Sequence, residues 1–291
     1  MGTLGKGSFG KVKLAEKEGQ NYAIKFLSND LPPNIFSKNK ELLLKEIDIL
    51  RTLDHPHLVR YVDSSPDQLY TKRSGKQYER LGLVLEYLPS YDLFEVLQQG
   101  PLGEELGRTY FHQLIEGLQY LHRMSVVHRD LKPDNILFDQ NLNLRITDFG
   151  TGYCNVGLSK VIEAGPPTTI CGTQGYKCPE MLLSIKYNGV LNDLFAAGIL
   201  LVNLVTGRSP FNCADPKTGM YKYMANNQHQ KFWVEFEKKA AVDPDFKDLV
   251  NGMLAFDPSQ RLTIAEIKCH PWYNRDVYMG GGTIENLRRS C

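Results

Sequence analysis

The sequence predicts an α+β protein in two lobes: a small β-rich lobe with one main helix, and a larger lobe that is mainly helical. Three observations support this prediction. Residues 2–27 alternate apolar and polar side chains with the period of β-strands, whereas residues 40–53 and several stretches after residue 104 carry apolar side chains at helical spacing. The length of 291 residues exceeds the usual size of one hydrophobic core, and chains of this length commonly divide into two.

Composition and charge exclude several classes of protein. The 34 Lys and Arg residues nearly balance the 33 Asp and Glu residues, so a nucleic-acid surface is not expected. The six cysteines form no CxxC pair, which argues against a zinc site or a disulfide scaffold. The longest apolar run, residues 194–202, is shorter than the roughly 18 residues of a membrane span, and no signal-peptide pattern is present. We therefore expect a cytoplasmic protein with reduced thiols.

The first stretch contains a glycine motif, Gly5-Lys6-Gly7-Ser8-Phe9-Gly10. It leads into the alternating residues 11–14, which predict a strand, whereas the glycine motif of dinucleotide-binding folds opens a helix. Without a Cβ atom, glycine lets the backbone come close to a ligand. The pattern therefore favours a flap over nucleotide phosphates and disfavours the dinucleotide-binding alternative.

The remainder of the small lobe is predicted from periodicity and polarity. Residues 40–53 predict an amphipathic helix whose apolar stripe also contains Glu46. The polar, basic stretch 64–80 predicts an expanded surface loop between two strands. Residues 83–89 then predict a buried strand followed by a connector.

Helical spacing dominates the larger lobe. It predicts helices over residues 104–122, 193–206, 232–239, 244–255 and 263–269, the second of them capped by Asp193. Residues 136–138 and 144–146 predict two short strands around a turn. Residues 151–177 have no clear periodicity and predict a mobile segment, and residues 274–291 predict a flexible tail.

Three polar residues on the path through the predicted hairpin indicate the chemistry. Asn135 lies five positions after Asp130, and Asp148 lies thirteen positions after Asn135. Magnesium prefers hard oxygen ligands and needs only one or two carboxylates beside substrate phosphates, so Asn135 and Asp148 fit the role of ligands. Asp130 then remains to orient a substrate hydroxyl and accept its proton. The pattern indicates phosphoryl transfer with magnesium.

Five motifs in a fixed order strengthen this interpretation. They are Gly5 to Val12, Tyr22-Ala23-Ile24-Lys25, His128 to Asn135, Asp148-Phe149-Gly150 and Cys178-Pro179-Glu180. In these motifs the sequence resembles the eukaryotic protein kinases over residues 2 to about 273. It looks like the serine/threonine type, and most like the calcium/calmodulin-dependent and energy-sensing group, although it has no calmodulin-binding or calcium-binding segment.

The resemblance implies one catalytic domain over residues 1–273, with a small lobe (1–87), a hinge (86–91) and a large lobe (90–273), followed by the tail 274–291. It also implies ATP and Mg²⁺ as cofactors. In the kinase pattern Asp130 accepts the hydroxyl proton, Lys132 steadies the transferred phosphoryl, and Lys25 pairs with Glu46. The implied nucleotide contacts are Leu4, Gly5, Lys6, Gly7, Ser8, Phe9, Gly10, Val12, Ala23, Lys25, Glu86, Leu88, Asp92 and Leu137, and the implied metal ligands are Asn135 and Asp148.

Further contacts follow from the same resemblance. Asp193 is expected to hold the backbone of the catalytic loop, and Glu180 to meet Arg261. An upstream kinase is expected to phosphorylate Thr168 or Thr169 in the mobile segment, with Arg129 and Arg145 clamping the phosphate. The alternative is that these threonines are ordinary loop residues.

The expected partner is a protein substrate with a Ser or Thr acceptor. Asp92 and Asp134 are expected to face a basic residue two or three positions before that acceptor. In the alternative, Asp92 caps the helix that begins at Leu93 and contacts only ribose, and backbone groups satisfy Asp134.

Two rival functions and one departure from the pattern complete the prediction. A pseudokinase or nucleotide-binding scaffold would lack one of Lys25, Asp130, Asn135 and Asp148, and all four are present. A small-molecule kinase is disfavoured by the segment ending in Cys178-Pro179-Glu180. Similar kinases begin the first strand several residues before the glycine motif, whereas Met1 lies four residues ahead of Gly5, so a short first strand is expected.

Overall fold

A five-stranded antiparallel sheet forms the small lobe, in the order β1-β2-β3-β5-β4. The computed structural model describes residues 2–7, 10–27, 32–71, 77–151, 153–154, 172–238 and 241–278. The strands are β1 (Thr3–Gly7), β2 (Gly10–Lys17), β3 (Gln20–Leu27), β4 (Tyr61–Thr71) and β5 (Gln77–Glu86). The predicted strands of residues 2–27 are thus confirmed, and β1 is short, as expected.

The predicted loop over residues 64–80 is wrong for most of its length. Strands β4 and β5 continue outward as a hairpin, in which Gln68 pairs with Arg80 and Thr71 with Gln77. Residues 72–76 lie outside the described residues. Polar side chains did not indicate this ladder, because the hydrogen bonds that hold two strands together come from backbone groups that every residue carries.

One long helix, α1 (Pro33–Leu50), packs against β3, β4 and β5 of this sheet. Its buried face holds Leu43, Ile47 and Leu50, as the stripe predicts, together with Glu46. The helix begins seven residues earlier than predicted and ends at Leu50 and not at residue 53. Pro33 stands at its first position, where proline is favoured because that N–H has no helical partner.

Helices form most of the large lobe. They are α2 (Leu93–Gln98), α3 (Gly103–Arg123), α4 (Pro179–Leu182), α5 (Gly189–Thr206), α6 (Tyr221–Ala225), α7 (His229–Phe236), α8 (Pro244–Met253) and α9 (Ile264–Cys269). Asn188, and not Asp193, caps α5, because the Asn188 side chain accepts hydrogen bonds from the backbone N–H groups of Val190 and Leu191. The predicted cap was therefore wrong, and Asp193 lies inside the helix.

Helix α5 runs through the centre of the lobe against α3. A Cβ atom built on Gly107 of α3 would lie 2.9 Å from a methyl carbon of Val205, so glycine permits the close approach of the two helices. Helix α5 has the length and hydropathy that would also suit a membrane span, but 83% of it is buried inside the protein. Burial of this extent is typical of the core helix of a globular lobe.

Two short two-stranded sheets lie beside this core. Strand β6 (Val126–Val127) pairs with β9 (Tyr153–Cys154), and β7 (Ile136–Phe138) pairs with β8 (Leu144–Ile146). The second pair is the predicted hairpin. Ile146 of β8 also exchanges backbone hydrogen bonds with His57 and Val59, each at 2.9 Å, and so joins the loop after α1 to the large lobe.

Residues 274–278 are held against α3. The Arg108 side chain donates a hydrogen bond to the backbone oxygen of Asp276, and the Tyr278 N–H donates to the Thr109 hydroxyl oxygen at 2.8 Å. The predicted flexible tail therefore does not begin at residue 274, and the rest of it, 279–291, lies outside the described residues.

Candidate active site

Asp193 of α5 holds the backbone of the loop over residues 128–135. Its buried carboxylate accepts hydrogen bonds from the backbone N–H groups of His128 and Arg129, each at 2.8 Å, and lies 3.1 Å from Nε2 of His122. Arg129 has a φ of 68°, a conformation that non-glycine residues rarely adopt and that the surrounding contacts must hold. The expectation that Asp193 holds this backbone is confirmed.

His128 connects this loop to the segment after β8, a contact that sequence analysis did not foresee. Its ring packs against Phe149, with ring centroids 5.1 Å apart, and its Nε2 lies 2.9 Å from the backbone oxygen of Thr147. The Asp130 N–H donates to its Nδ1 at 3.2 Å. The two stretches that carry Asp130 and Asp148 are thereby joined through one buried imidazole.

Asp130 receives hydrogen bonds from the end of the segment that precedes α4. Its Oδ1 accepts from the N–H and the hydroxyl of Thr173, at 2.8 and 3.0 Å. Gly172 makes this approach possible, because its φ is 83° and a Cβ atom there would lie 2.6 Å from the Arg129 oxygen. Nζ of Lys132 lies 3.5 Å from Oδ2 of Asp130. Thr173 is a site residue that the sequence-based set omitted.

Asn135 and Asp148 offer oxygen atoms next to Asp130. The Asn135 side-chain nitrogen donates to the backbone oxygen of Asp130 at 2.8 Å, which leaves its amide oxygen as the atom available to a ligand. The Thr147 N–H donates to the Asn135 backbone oxygen at 3.0 Å, so the neighbour of Asp148 is attached to Asn135. The side chain of Asp148 is 39% exposed. An exposed carboxylate and a neighbouring amide oxygen fit Mg²⁺, which prefers hard oxygen ligands.

Lys25 lies between two carboxylates. Its Nζ is 2.7 Å from Oε2 of Glu46 and 2.8 Å from Oδ1 of Asp148, so the expected pairing of Lys25 with Glu46 is confirmed. Burial alone would lower the pKa of Lys25, but the two carboxylates outweigh it and raise the pKa. Burial alone would likewise raise the pKa of Asp148, but Lys25 lowers it. Burial raises the pKa of Glu46 despite Lys25, so this carboxylate depends on the ammonium to stay charged.

Several of the expected nucleotide contacts lie on β3, on β7 and in the connector after β5. Ala23 of β3 pairs with Leu85 of β5, Leu88 follows in the connector, and Asp92 forms a bridge with Leu137 of β7. The Glu86 side chain is engaged by the chain itself, because its Oε1 accepts a hydrogen bond from the Arg60 N–H at 2.8 Å. Ser8 and Phe9 lie outside the described residues, and the roles of the nucleotide-contacting set stay predictions.

Asp92 caps α2, as one of its two expected roles required. Its side chain accepts from the Glu95 N–H at 2.8 Å, and the Glu95 side chain accepts in return from the Asp92 N–H. Burial raises the pKa of Asp92, and the charges of Glu95 and Asp134 add to the shift. Asp134 is exposed at the start of the loop's short 3₁₀ turn. The negative charge of Asp134 therefore acts on Asp92, the other carboxylate that is expected to face the peptide.

Glu180 and Arg261 form a buried, paired contact. Both guanidinium Nη atoms donate to the carboxylate, at 3.1 and 3.2 Å, which confirms the expected pair. Cys178 beside it is fully buried, and burial raises the pKa of its thiol to about 12. Cys178 therefore behaves as a small apolar side chain and not as a reactive thiol.

The phosphate-clamping role expected for Arg145 is wrong. Its Nη2 lies 3.2 Å from Oδ2 of Asp139 in the turn between β7 and β8, and its Nη1 lies 3.7 Å from Oε1 of Glu86. The direction of the side chain follows from the alternation along β8, where Leu144 and Ile146 face the core. Thr168 and Thr169 lie outside the described residues, so the expectation for Arg129 stays a prediction.

Comparison with known proteins relates this geometry to a family. The model of the protein kinase domain matches residues 1–273 of the chain. The chain is 35% identical to the SNF1-related protein kinase catalytic subunit alpha KIN12 of Arabidopsis thaliana, over 94% of this chain and 51% of that protein. It is also 35% identical to CBL-interacting protein kinase 11 of Oryza sativa subsp. japonica, over 97% of this chain and 52% of that protein.

A third relative comes from a different organism. The probable serine/threonine-protein kinase MARK-C of Dictyostelium discoideum is 32% identical over 94% of this chain and 33% of that protein. The chain spans about half the length of the two plant relatives and about a third of the length of MARK-C. The similarity therefore concerns the two lobes described above.

Proposed function

We propose that this chain, which belongs to the protein kinase domain family, transfers the γ-phosphoryl group of ATP to a serine or threonine hydroxyl of a protein substrate. The observation that carries the proposal is the juxtaposition of Asp130, Lys132 and Asn135 on one anchored loop with the Lys25–Asp148 pair. Together they supply a proton acceptor, cations and oxygen ligands around one small volume.

Asp130 is assigned to the substrate hydroxyl. Its Oδ1 is held by Thr173, whereas its Oδ2 faces Lys132 at 3.5 Å. A carboxylate that is fixed in this way orients the hydroxyl and accepts its proton during transfer. Lys132, on the same side, stabilises the negative charge of the phosphoryl group as it moves.

The phosphates of ATP are assigned to Lys25 and to the two oxygen donors. Glu46 holds the Lys25 ammonium in the cleft, where it can attract phosphate oxygens. Asn135 and Asp148 would hold Mg²⁺, which when bound neutralises the charge on the phosphates. The 2.8 Å contact between Lys25 and Asp148 places the cation next to the carboxylate that is assigned to the metal.

The preference for serine or threonine is supported by two observations. The hydroxyl of Thr173, which stands before Tyr176 as in the serine/threonine kinases that the sequence resembles, contacts Asp130 directly. MARK-C and other similar proteins are named as serine/threonine kinases. No specific observation favours a nucleotide-binding scaffold without activity, because each position that chemistry requires is filled.

A phosphorylation assay on a peptide library with ATP and Mg²⁺ tests the proposal. Transfer to serine or threonine peptides is expected for the parent chain and should fall by about 10²–10⁴ in Asp130→Asn. Asp48→Asn, the same change at an exposed position of α1, is the matched control and should retain activity. A well-folded parent chain that transfers no phosphate to any peptide would contradict the proposal.

A further inference from the structure

Arg145 and Glu86 meet at the start of the hinge, residues 86–91, with Nη1 of the arginine 3.7 Å from Oε1 of the glutamate. We propose that Arg145 is a positioning residue for nucleotide binding, which acts by fixing the hinge through Glu86 and Asp139. The inference deepens the proposed function and rests on it, because Glu86 and Leu88 of the hinge are among the nucleotide contacts that the resemblance to protein kinases implies, where their backbone groups would bind adenine. It replaces the phosphate-clamping role that the sequence suggested for this arginine.

Glu86 is the first residue of the hinge, and both its backbone and its side chain are held. Its Oε1 accepts from the Arg60 N–H at 2.8 Å, and its own N–H donates to the Arg60 oxygen at 3.1 Å. The same Oε1 lies 3.7 Å from Nη1 of Arg145. The backbone and the side chain of Glu86 are therefore both held, and the strand end cannot turn without breaking these contacts.

Asp139 holds the hinge at a second residue, Ser90. The Ser90 hydroxyl donates to the Asp139 backbone oxygen at 3.0 Å. The Asp139 carboxylate is itself fixed, because its Oδ1 accepts from the N–H groups of Asn141 and Asn143 at 2.8 and 2.9 Å. Its Oδ2 lies 3.2 Å from Nη2 of Arg145. Arg145 thus joins the rigid turn between β7 and β8 to the hinge at Glu86, and Asp139 joins it at Ser90.

Open space borders this arrangement on two sides. Two clefts of about 430 Å³ each adjoin it, and both have Arg60, Glu86 and Arg145 in their walls. The buried Nε of Arg145 has no hydrogen-bond partner among the described residues. Its guanidinium is directed by the acceptors at the two Nη atoms, which are the Leu58 backbone oxygen at 3.4 Å, Glu86 and Asp139. Side chains bordered by open space can change rotamer when a polar contact is lost. The polar contacts of Arg145 therefore help to fix the hinge.

Loss of the arginine should weaken nucleotide binding and leave the chemical step nearly unchanged. A hinge that must first be ordered binds adenine at an added entropic cost. Arg145→Met, which keeps an unbranched apolar stem, should raise both the KM and the Kd for ATP about three- to tenfold, the range of one ordinary hydrogen bond, because the arginine acts on the hinge and does not contact the nucleotide. The kcat at saturating ATP and the KM for peptide should change by less than about twofold, because Asp130 and Lys132 are untouched.

Arg60→Met is the matched control. Arg60 faces the same two cavities and carries the same charge, but its contacts with Glu86 are made by its backbone. This variant should leave the KM and Kd for ATP unchanged. Glu86→Gln keeps an oxygen for the Arg60 N–H and loses the charge that faces Arg145, so it should raise the Kd in the same direction as Arg145→Met but by less, because Arg145→Met also loses the contact with Asp139. The double variant should then be no worse than Arg145→Met, since that single variant has already lost the contact with Glu86.

Isothermal calorimetry of ATP binding together with steady-state kinetics decides the matter, and the Kd requires no phosphoryl transfer. A parent chain that binds ATP but transfers nothing would overturn the proposed function and leave this inference standing if the Kd still rises in Arg145→Met. An unchanged Kd in both Arg145→Met and Glu86→Gln would overturn the inference. An equal rise in the Kd for ATP in Arg60→Met would also overturn the inference, because the effect would then be one of charge alone. Glu86→Gln decides the outcome by itself if Arg145→Met does not fold.

Discussion

The Nζ atom of Lys25 lies 2.7 Å from Oε2 of Glu46, and the Glu46 side chain is only 1% exposed. Each member of this pair needs the other, because a buried charge without a partner is strongly unfavourable. The contact joins β3 to α1 and places the ammonium beside Asp148. The same contact therefore serves both the stability of the small lobe and the proposed binding of phosphate.

Lys25→Met should abolish phosphoryl transfer and also lower stability. The substitution leaves Glu46 buried with no cation, and breaking a buried pair from one side costs about 3–5 kcal/mol. Burial already raises the pKa of Glu46, so the carboxyl is expected to take up a proton and recover part of this loss. Thermal unfolding measures the first effect and a peptide assay the second.

The double variant Lys25→Met/Glu46→Leu is the control that separates the two roles. Replacing both partners by apolar side chains of similar size is often neutral for stability. The double variant should therefore unfold at a higher temperature than Lys25→Met while remaining inactive. Equal melting temperatures for the two would show that Glu46 is not destabilised by losing Lys25.

Gly172→Ala should impair catalysis without unfolding the protein. Gly172 has a φ of 83°, and a Cβ atom there would meet the Arg129 oxygen at 2.6 Å. The strain, of order 1–3 kcal/mol, would move Thr173 away from Asp130. We expect kcat to fall by about tenfold or more, since the acceptor carboxylate loses two of its hydrogen bonds. Gly175→Ala, three residues further on and with its nearest contact at 3.3 Å, is the control and should have a much smaller effect.

Local sequence patterns were sufficient for the elements whose apolar side chains repeat with one clear period. Helix α3 (Gly103–Arg123) matches the predicted range 104–122 within one residue at each end, and the hairpin of β7 and β8 was also foreseen. The hairpin of β4 and β5 was not, because its outer pairs are polar and backbone pairing leaves no trace in side-chain polarity. The start of α5 was misplaced because Asn188, its true cap, lies five residues before the carboxylate that the pattern suggested.

The site also has features that the sequence predicts and features that only tertiary contacts determine. Residue types and motif order identified Asp130, Asn135 and Asp148, and the structure brings their loops together through His128. The partners of Arg145 could not be predicted, since they depend on how β8 pairs with β7 and where the distant Glu86 lies. The positive φ angles of Arg129 and Asp148 are likewise set by tertiary contacts and not by residue type.

Arg261→Met should be among the most destabilising substitutions in the large lobe. Its guanidinium is fully buried and donates both Nη atoms to Glu180. Removing it leaves that carboxylate buried without a partner, which costs about 3–5 kcal/mol. Arg275→Met removes an arginine that is 40% exposed and paired with Asp243, and exposed pairs contribute only about 0–1 kcal/mol. Chemical denaturation of both variants should give a large loss for the first and little change for the second.

Phosphorylation of Thr168 or Thr169 should activate the enzyme. A phosphate adds roughly −1.5 to −2 of charge and can order a segment against a guanidinium group. With Arg145 committed to Asp139 and Glu86, Arg129 is the remaining arginine of the expected clamp. Mass spectrometry should find phosphate on one of the two threonines in active enzyme, and phosphatase treatment should lower activity. Activity that survives complete dephosphorylation would show that these threonines are ordinary loop residues.

A basic residue two or three positions before the acceptor should improve a peptide substrate, because Asp92 and Asp134 are both expected to face it. Burial, together with the charges of Glu95 and Asp134, raises the pKa of Asp92, and a cation beside Asp92 would offset this effect. Replacing that Arg by Ala in a model peptide should lower kcat/KM by about fivefold or more, as expected for a partly shielded charge-assisted contact. Asp92 also caps α2, so its variant must keep the cap: Asp92→Ser retains an oxygen for the Glu95 N–H and removes only the charge. In the double variant Asp92→Ser/Asp134→Asn the two peptides should become nearly equivalent, whereas Asp48→Asn on α1 should preserve the difference. If the parent enzyme phosphorylates the two peptides equally well, Asp92 serves only as a cap and the acidic pair does not select the substrate.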